Sequence, residues 1–431
     1  MLWRMVIMFH KYVVLMGVWV CVGSVTMGLD FPIRNLYAQG SANVRNVGMI
    51  TNPHPSVFDG FGMALDVKEN RVLIGASHEE NGGVESGRVY LMDGMNGRVL
   101  HQYSLSRPLG HDLFGFSVKF MNDKVLVGAP QGRDRQQGHT GAVYVFEGDS
   151  GKLLQTLHNP SPGTGTFGHA VDSHDGLIMV GDPMTSLSTT FHAGAVFVFE
   201  SSSGTLLYSV QSPEKQTGEP DRFGHAVAFV ENNSLVTAPL GGSDPSDSGR
   251  AYLFEGRTGK HIRTFQSPSP QNGEFFGWSA AVDGHTVIFG ALGHNKDSQV
   301  EVGVAYVMDV LSGQILYRVE APAGATGDHF GEAVAIVDGK FLVGAPGTDM
   351  NSEILGVDVG AVYVFEKETG TLLDTLENPE PETGAADLFG LSLAGAGTKM
   401  VVGAPFGGTI QHTDSGVVHQ YVFQGRHEGE G

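Results

Sequence analysis

From about residue 44 onward, short apolar runs alternate with clusters of Gly, Asn, Asp and Pro. From Phe114 one stretch reads FGFSVKF, MND, KVLVGAP, QGRDRQQGHT, GAVYVFE, GDSG, KLLQTL and then HNPSPGTGT. Short runs rich in Val, Leu, Phe and Tyr, punctuated by turn formers, predict four β-strands. No segment beyond the N-terminus keeps a helical period over three turns, so the predicted class is all-β.

The block recurs. One Phe-Gly per unit opens the block, at Phe61, Phe114, Phe167, Phe223, Phe276, Phe330 and Phe389. A repeat this regular is an array of one supersecondary unit. Gly after Phe predicts a place where the backbone bends or approaches another closely. Two residues later comes a small residue: Ala64, Ser117, Ala170, Ala226, Ser279, Ala333 or Ser392. The second strand ends in Gly-Ala-Pro at 128–130, 344–346 and 403–405, and in related words elsewhere. Pro has no amide donor and suits a strand end. The turn after the third strand runs from an acid to Gly, as from Glu147 to Gly151, Glu255 to Gly259 and Glu366 to Gly370. That is hairpin chemistry.

Seven four-stranded units predict a seven-bladed β-propeller over residues 44–424. The seventh unit stops after its third strand. Asn52-Pro53-His54-Pro55 matches Asn159-Pro160-Ser161-Pro162 and Asn378-Pro379-Glu380-Pro381, the words that follow a fourth strand. Residues 44–51 are therefore predicted to complete the last blade, which closes the ring and leaves no sheet edge. In an open solenoid, the other arrangement of such units, that permuted strand has no purpose.

Residues 1–38 differ. Arg4 and Lys11 precede an apolar run from Tyr12 to Leu29, and Leu36-Tyr37-Ala38 offers a cleavage site. This reads as a signal peptide, or else as an uncleaved membrane anchor. The predicted location is secreted, periplasmic or cell surface. The one cysteine, Cys21, lies in that run, so disulfides and thiol chemistry are not expected of the chain beyond it. The formal net charge of −20 argues against nucleic acid as a partner. Membrane contact is expected only through the N-terminal segment, the propeller is expected to be monomeric, and residues 425–431 are expected to be a disordered tail.

Phe-Gly alternating with Gly-Ala-Pro at this period resembles the FG-GAP repeat family, which includes the integrin α-subunit propeller and exported bacterial propellers. The resemblance implies extracellular or surface binding of an unknown protein or glycan, without catalysis. Calcium-binding members carry an Asp-x-Asp-x-Asp-Gly loop between the first two strands, where closely spaced carboxylates converge on one cation. Here that loop is a short turn, such as Lys68-Glu69-Asn70, Met121-Asn122-Asp123 or Asp338-Gly339. The family's calcium sites are not carried over, and no metal or other cofactor is expected. Scattered acids elsewhere, such as Asp244 with Asp247 and Asp349 with Asp358, follow no ligand spacing.

Two sets of residues are candidates for function. An acid stands two residues before Phe at Asp59, Asp112, Asp221, Glu274, Asp328 and Asp387, and only Gly165 breaks the series. Recurrence in six blades favours a carboxylate that caps its own turn, against an acidic rim that attracts cations. The residue after Phe-Gly varies: Met63, Phe116, His169, His225, Trp278, Glu332 and Leu391. If the first strand is innermost, His169, His225, Trp278 and Glu332 form a polar-aromatic pocket on one side of the channel mouth, with Trp278 as a stacking platform. Ordinary packing between blades is the competing reading. Two loops, Gln131–Thr140 and Gly347–Val359, exceed the repeat's norm and are further places for contacts.

An enzyme is the alternative to a binding module. Words such as YVFEGDSGKLL from Tyr144 resemble blades of quinoprotein dehydrogenases, but those end in a Trp that locks the blade. The corresponding residues here are Tyr103, Leu157, Tyr208, Phe265, Tyr317 and Leu376. A hydrolase or lyase would need a base tied to a nucleophile, and no motif supplies one. A purely structural envelope role leaves no trace in a sequence.

Overall fold

The computed structural model describes residues 44–134, 138–161, 165–186, 193–214, 220–242, 246–349, 358–381, 386–408 and 414–424. They form seven four-stranded antiparallel sheets. The first blade runs Phe61–Lys68, Arg71–Ala76, Arg88–Asp93 and Val99–Tyr103, in that spatial order. The next five repeat the order. The seventh takes Ser392–Ala396, Lys399–Ala404 and Val417–Phe423 from the C-terminal side, and its fourth strand is Val44–Thr51. The register of that closing pair runs from Val44 opposite Phe423 to Thr51 opposite Val417, with a bulge between Asn46 and Gly48. The first strand of every blade packs against the first strands of both neighbours, so these strands form the inner ring of a seven-bladed β-propeller. Two short hairpins, Glu80–Asn81 with Val84–Glu85 and Arg133–Asp134 with Gly138–His139, were not legible in the sequence. Two-residue strands fall below any periodic signal.

The geometry explains Phe-Gly. In every blade the amide after Phe-Gly donates to the carbonyl of the residue before it, as in His225 to Arg222 at 3.2 Å and Trp278 to Phe275 at 3.0 Å. Phe and Gly are thus the central pair of a β-turn, and the seven glycines have φ between 83° and 96°. A turn of the type II kind needs that positive φ at its third position. The seven Phe side chains are fully buried and pack on the third strand of their own blade. Complete burial of one such ring is worth about 1.5–3 kcal/mol.

Gly-Ala-Pro is explained by the neighbouring blade. A Cβ on Gly128 would lie 2.1 Å from the carbonyl oxygen of Gly168, and one on Gly344 would lie 2.0 Å from that of Gly390. The glycine of one word faces the Phe-Gly turn of the next blade. In three blades the small first-strand residue adds a bond there: Ser117 donates to Gly168, Ser279 to Gly331 and Ser392 to Gly62.

The fourth-strand residues that lack Trp also act between blades. The hydroxyls of Tyr103, Tyr208 and Tyr317 donate to the carbonyls of Gly148, Gly256 and Lys367 in the following blade. Leu157, Phe265 and Leu376, in the alternate blades, have no hydroxyl for such a clasp. The turn after the third strand is closed as expected: Gly151, Gly259 and Gly370 have φ near 65° and donate to the acid that opens the turn.

Candidate functional site

The Phe-Gly turn delivers its last residue to the inner ring, one per blade. All seven of these residues are half-buried. Four neighbours in this ring carry rings in direct contact. Phe116 and His169 have centroids 5.0 Å apart, His169 and His225 5.0 Å, and His225 and Trp278 4.6 Å. Trp278 Nε1 then donates to Glu332 Oε1 at 3.0 Å. His169, His225, Trp278 and Glu332 therefore form one continuous arc across blades three to six.

The arc is tied together through the backbone as well. His169 Nδ1 lies 3.2 Å from the carbonyl oxygen of His225, and His225 Nδ1 lies 3.0 Å from that of Trp278. A carbonyl oxygen can only accept, so Nδ1 is the protonated nitrogen in both rings. Each histidine is thus oriented by the next blade. Phe116 and Phe275 extend the aromatic surface; the ring of Phe275 lies 6.0 Å from Trp278. Phe116 occupies the same repeat position as the arc, in blade two. Phe275 precedes Phe276 in the linker, where no motif marks it. Met63 and Leu391 complete the ring on the other side.

The acids before Phe point elsewhere. Asp59, Asp112, Glu274, Asp328 and Asp387 are buried, and Asp221 is half-buried. Ser56, Leu109, Gln271 and Ala325 each donate a backbone amide to the carboxylate three residues ahead, at 2.6 to 3.0 Å. The Asn of the Asn-Pro words supplies a second bond: Asn52 to Asp59 at 2.8 Å and Asn378 to Asp387 at 2.7 Å. In blade five Ser267 stands in that Asn position and Glu274 in the Asp position, and they bond at 2.9 Å. A carbon atom lost from one partner is regained in the other. Tyr306 and His294 also bond Glu274, at 2.8 and 3.0 Å.

Blade three lacks the acid, and its second strand ends in Gly181-Asp182-Pro183 instead of Gly-Ala-Pro. These two departures are one. Asp182 is fully buried and accepts from Thr166 N at 2.5 Å, from Asn159 Nδ2 at 2.8 Å and from Thr185 Oγ1. A Cβ on Gly165 would lie 2.6 Å from its carboxylate. The acid has moved from the linker to the strand end, and the missing side chain makes room for it. Burial raises the Asp182 carboxyl above its ordinary range.

Blade one carries the densest polar corner. The Tyr90 hydroxyl donates to Glu79 at 2.7 Å and lies 2.9 Å from His54 Nδ1, while Arg88 Nε is 2.7 Å from Glu79. Burial pushes the carboxyls of Asp59 and Glu79 up to about 6 and about 7. Deeper in the channel, Lys119 lies 3.4 Å from Asp172 and 3.9 Å from Asp66. Asp66 and Asp172 also accept the amides of Phe120 and Phe229 in the next blade, both at 2.7 Å. The equivalent residues of the other four blades are Ala228, Ala281, Ala335 and Ala394. Among the described residues no group of three or more His, Cys, Asp and Glu is arranged to hold a metal ion. The expected leader, the C-terminal tail, Asp244 and residues 350–357 of the long loop lie outside the described residues.

Two stretches, residues 108–146 and 318–365, match the family model of the FG-GAP repeat. Integrin alpha-3 of Cricetulus griseus is 32% identical over 149 residues, which cover 30% of this chain and 13% of the integrin. The chain thus spans only a small part of the length of this curated relative.

Proposed function

This chain is an FG-GAP repeat protein with an integrin-like seven-bladed β-propeller, and on that premise we propose that it is an exported or cell-surface binding module. The fold is compatible with a binding module. The observation that carries the proposal is the unbroken arc from His169 through His225 and Trp278 to Glu332. Side chains from four separate blades meet there, although the repeat makes the same position apolar in the other three. Half-buried rings with a fixed carboxylate offer stacking faces and directed acceptors, the furnishing of a small recognition site. The ligand is a glycan or an exposed segment of a partner protein, and the module adheres without catalysis. The leader-like N-terminal sequence and the integrin likeness support a location outside the cell.

A glycan array and a surface-protein pull-down with the full chain, repeated with Trp278→Ala, test this reading. Ligands captured by the native chain and lost by the variant support it. Ligands captured equally by both remove the mouth from the proposal. A reporter fusion that stays in the cytoplasm removes export.

A further inference from the structure

A second site lies away from the mouth, between the outer turns of blades one and two. There a cleft of about 410 Å³ opens. Its depth is apolar, with the buried Leu91 and the half-buried ring of Phe120, and its walls carry Lys68, Arg71 and Lys124. The residue after the acid of the third-strand turn is Gly148 here, so no side chain fills the opening; in blade six the same position is Lys367.

The cations of this cleft are less completely paired than several on comparable turns, although Lys399 of blade seven likewise meets a neutral group, Asn70. Lys367 pairs with Asp283, Lys340 with Asp338 at 3.2 Å, and His285 with Glu231 at 3.0 Å. Lys68 instead rests on the carbonyl oxygen of Asn122, a neutral group, at 2.5 Å. Lys124 makes no ion pair among the described residues. Arg71 meets only Asp149, at 2.8 Å, whose side chain is 81% exposed. An exposed pair of this kind is worth about 0–1 kcal/mol, so a ligand carboxylate can take its place. Glu69, Asp123 and Asp149 share the lining with these three cations, so the cleft carries both signs: cations open to a carboxylate and acids open to hydroxyls.

We propose that the cleft between blades one and two binds a carboxylate-bearing sugar. The guanidinium of Arg71 takes the carboxylate in a fork, the geometry that favours Arg over Lys for planar anions. Lys68 and Lys124 close on it from the two blades. Asp149, Glu69 and Asp123 accept sugar hydroxyls, and the Phe120 ring underlies the apolar face of the pyranose. The cleft volume lies within the range of small-molecule sites. This site is independent of the mouth, so one can fail without the other.

The test is calorimetric or ligand-observed NMR titration of the full chain with D-glucuronate, D-glucose and glucose 6-phosphate at low salt. Glucuronate is expected to saturate the protein while glucose does not. Arg71→Gln and Lys124→Gln are expected to weaken glucuronate about tenfold each. Trp278→Ala is expected to leave it unchanged. Arg71 is exposed and Lys124 half-buried, and an unaltered melting temperature confirms that these two variants are folded. No saturation by glucuronate, or equal affinity in Arg71→Gln, overturns the proposal. Tighter binding of glucose 6-phosphate than of glucuronate overturns the choice of carboxylate and leaves an anion site of phosphate type.

Discussion

Blade three departs from the repeat at two corners, and the two departures mean different things. At its linker, Gly165 and Asp182 each break the pattern, and together they restore it. The carboxylate arrives from a different strand and meets the equivalent Asn, together with a linker amide closer to Phe, that of Thr166. At its inner turn, His169 occupies the position that varies from blade to blade, and its contacts reach across blades. Its bonds run outward, to the carbonyl and the ring of His225 in the next blade. A compensated departure preserves architecture. An uncompensated one that propagates across blades adds something the architecture does not require.

The linker half of this contrast gives the largest expected effect. Asp182→Ala leaves Asn159, Thr166 and Thr185 without their buried acceptor and is expected to cost roughly 3–5 kcal/mol. Gly165→Asp alone brings a second carboxylate against Asp182 and is expected to destabilise as well. Combining the two changes rebuilds the arrangement of the other blades. Urea denaturation should show the double variant more stable than either single one. If the two losses simply add, the swap is not the reason for the paired departures.

His419 provides a third kind of departure, buried and unshared. It stands where five blades carry Tyr and one carries Phe. Burial holds its imidazole down at about 4, and its Nε2 has no hydrogen-bond partner. The unfolded chain takes up this proton near pH 6.5, well before the folded chain does. The contribution is therefore complete above pH 6.5 and is lost as the pH falls toward 4, by about 3 kcal/mol in total. His78, held down to about 4 by burial and by His111, acts in the same direction. Asp59 and Glu79 oppose them: their raised values favour the neutral form, so their contribution is lost as the pH climbs from about 4 to about 7. His419→Tyr restores the repeat and is expected to flatten the acid limb of a stability-against-pH curve by its own share. An unchanged limb would place the acid sensitivity in other groups.

At the mouth the expected balance is reversed, with a modest change in stability and a large one in binding. Trp278→Ala removes a half-buried ring and should cost about 2 kcal/mol, below the range for a fully buried Trp. Capture of the ligand held at the mouth should disappear, while glucuronate binding in the cleft between blades one and two is retained. If stability falls by much more and capture survives, the arc is packing and belongs with the compensated departures.

The smallest expected effect concerns the clasps between blades. Tyr208→Phe deletes the bond to Gly256 and should cost about 1 kcal/mol. The ring still packs, so a calorimetric melting temperature about one degree lower is the whole signature.

The sequence by itself determined the repeat, the four strands per unit, the number of blades and the closing strand, because each rests on local chemistry repeated seven times. A type II turn needs Gly after Phe wherever it occurs, and Asn-Pro marks the end of a fourth strand at both ends of the chain. The ring position of His169, His225, Trp278 and Glu332 was also legible, since one register fixes it in every blade. Tertiary structure decided what depends on meetings between blades. That Gly165 and Asp182 answer each other is invisible in one dimension, for they lie on different elements and neither type predicts the other. That Lys68, Arg71 and Lys124 share a cleft follows from which turns the ring places side by side. Periodicity specifies what each blade repeats; only closure of the ring specifies which of its exceptions touch.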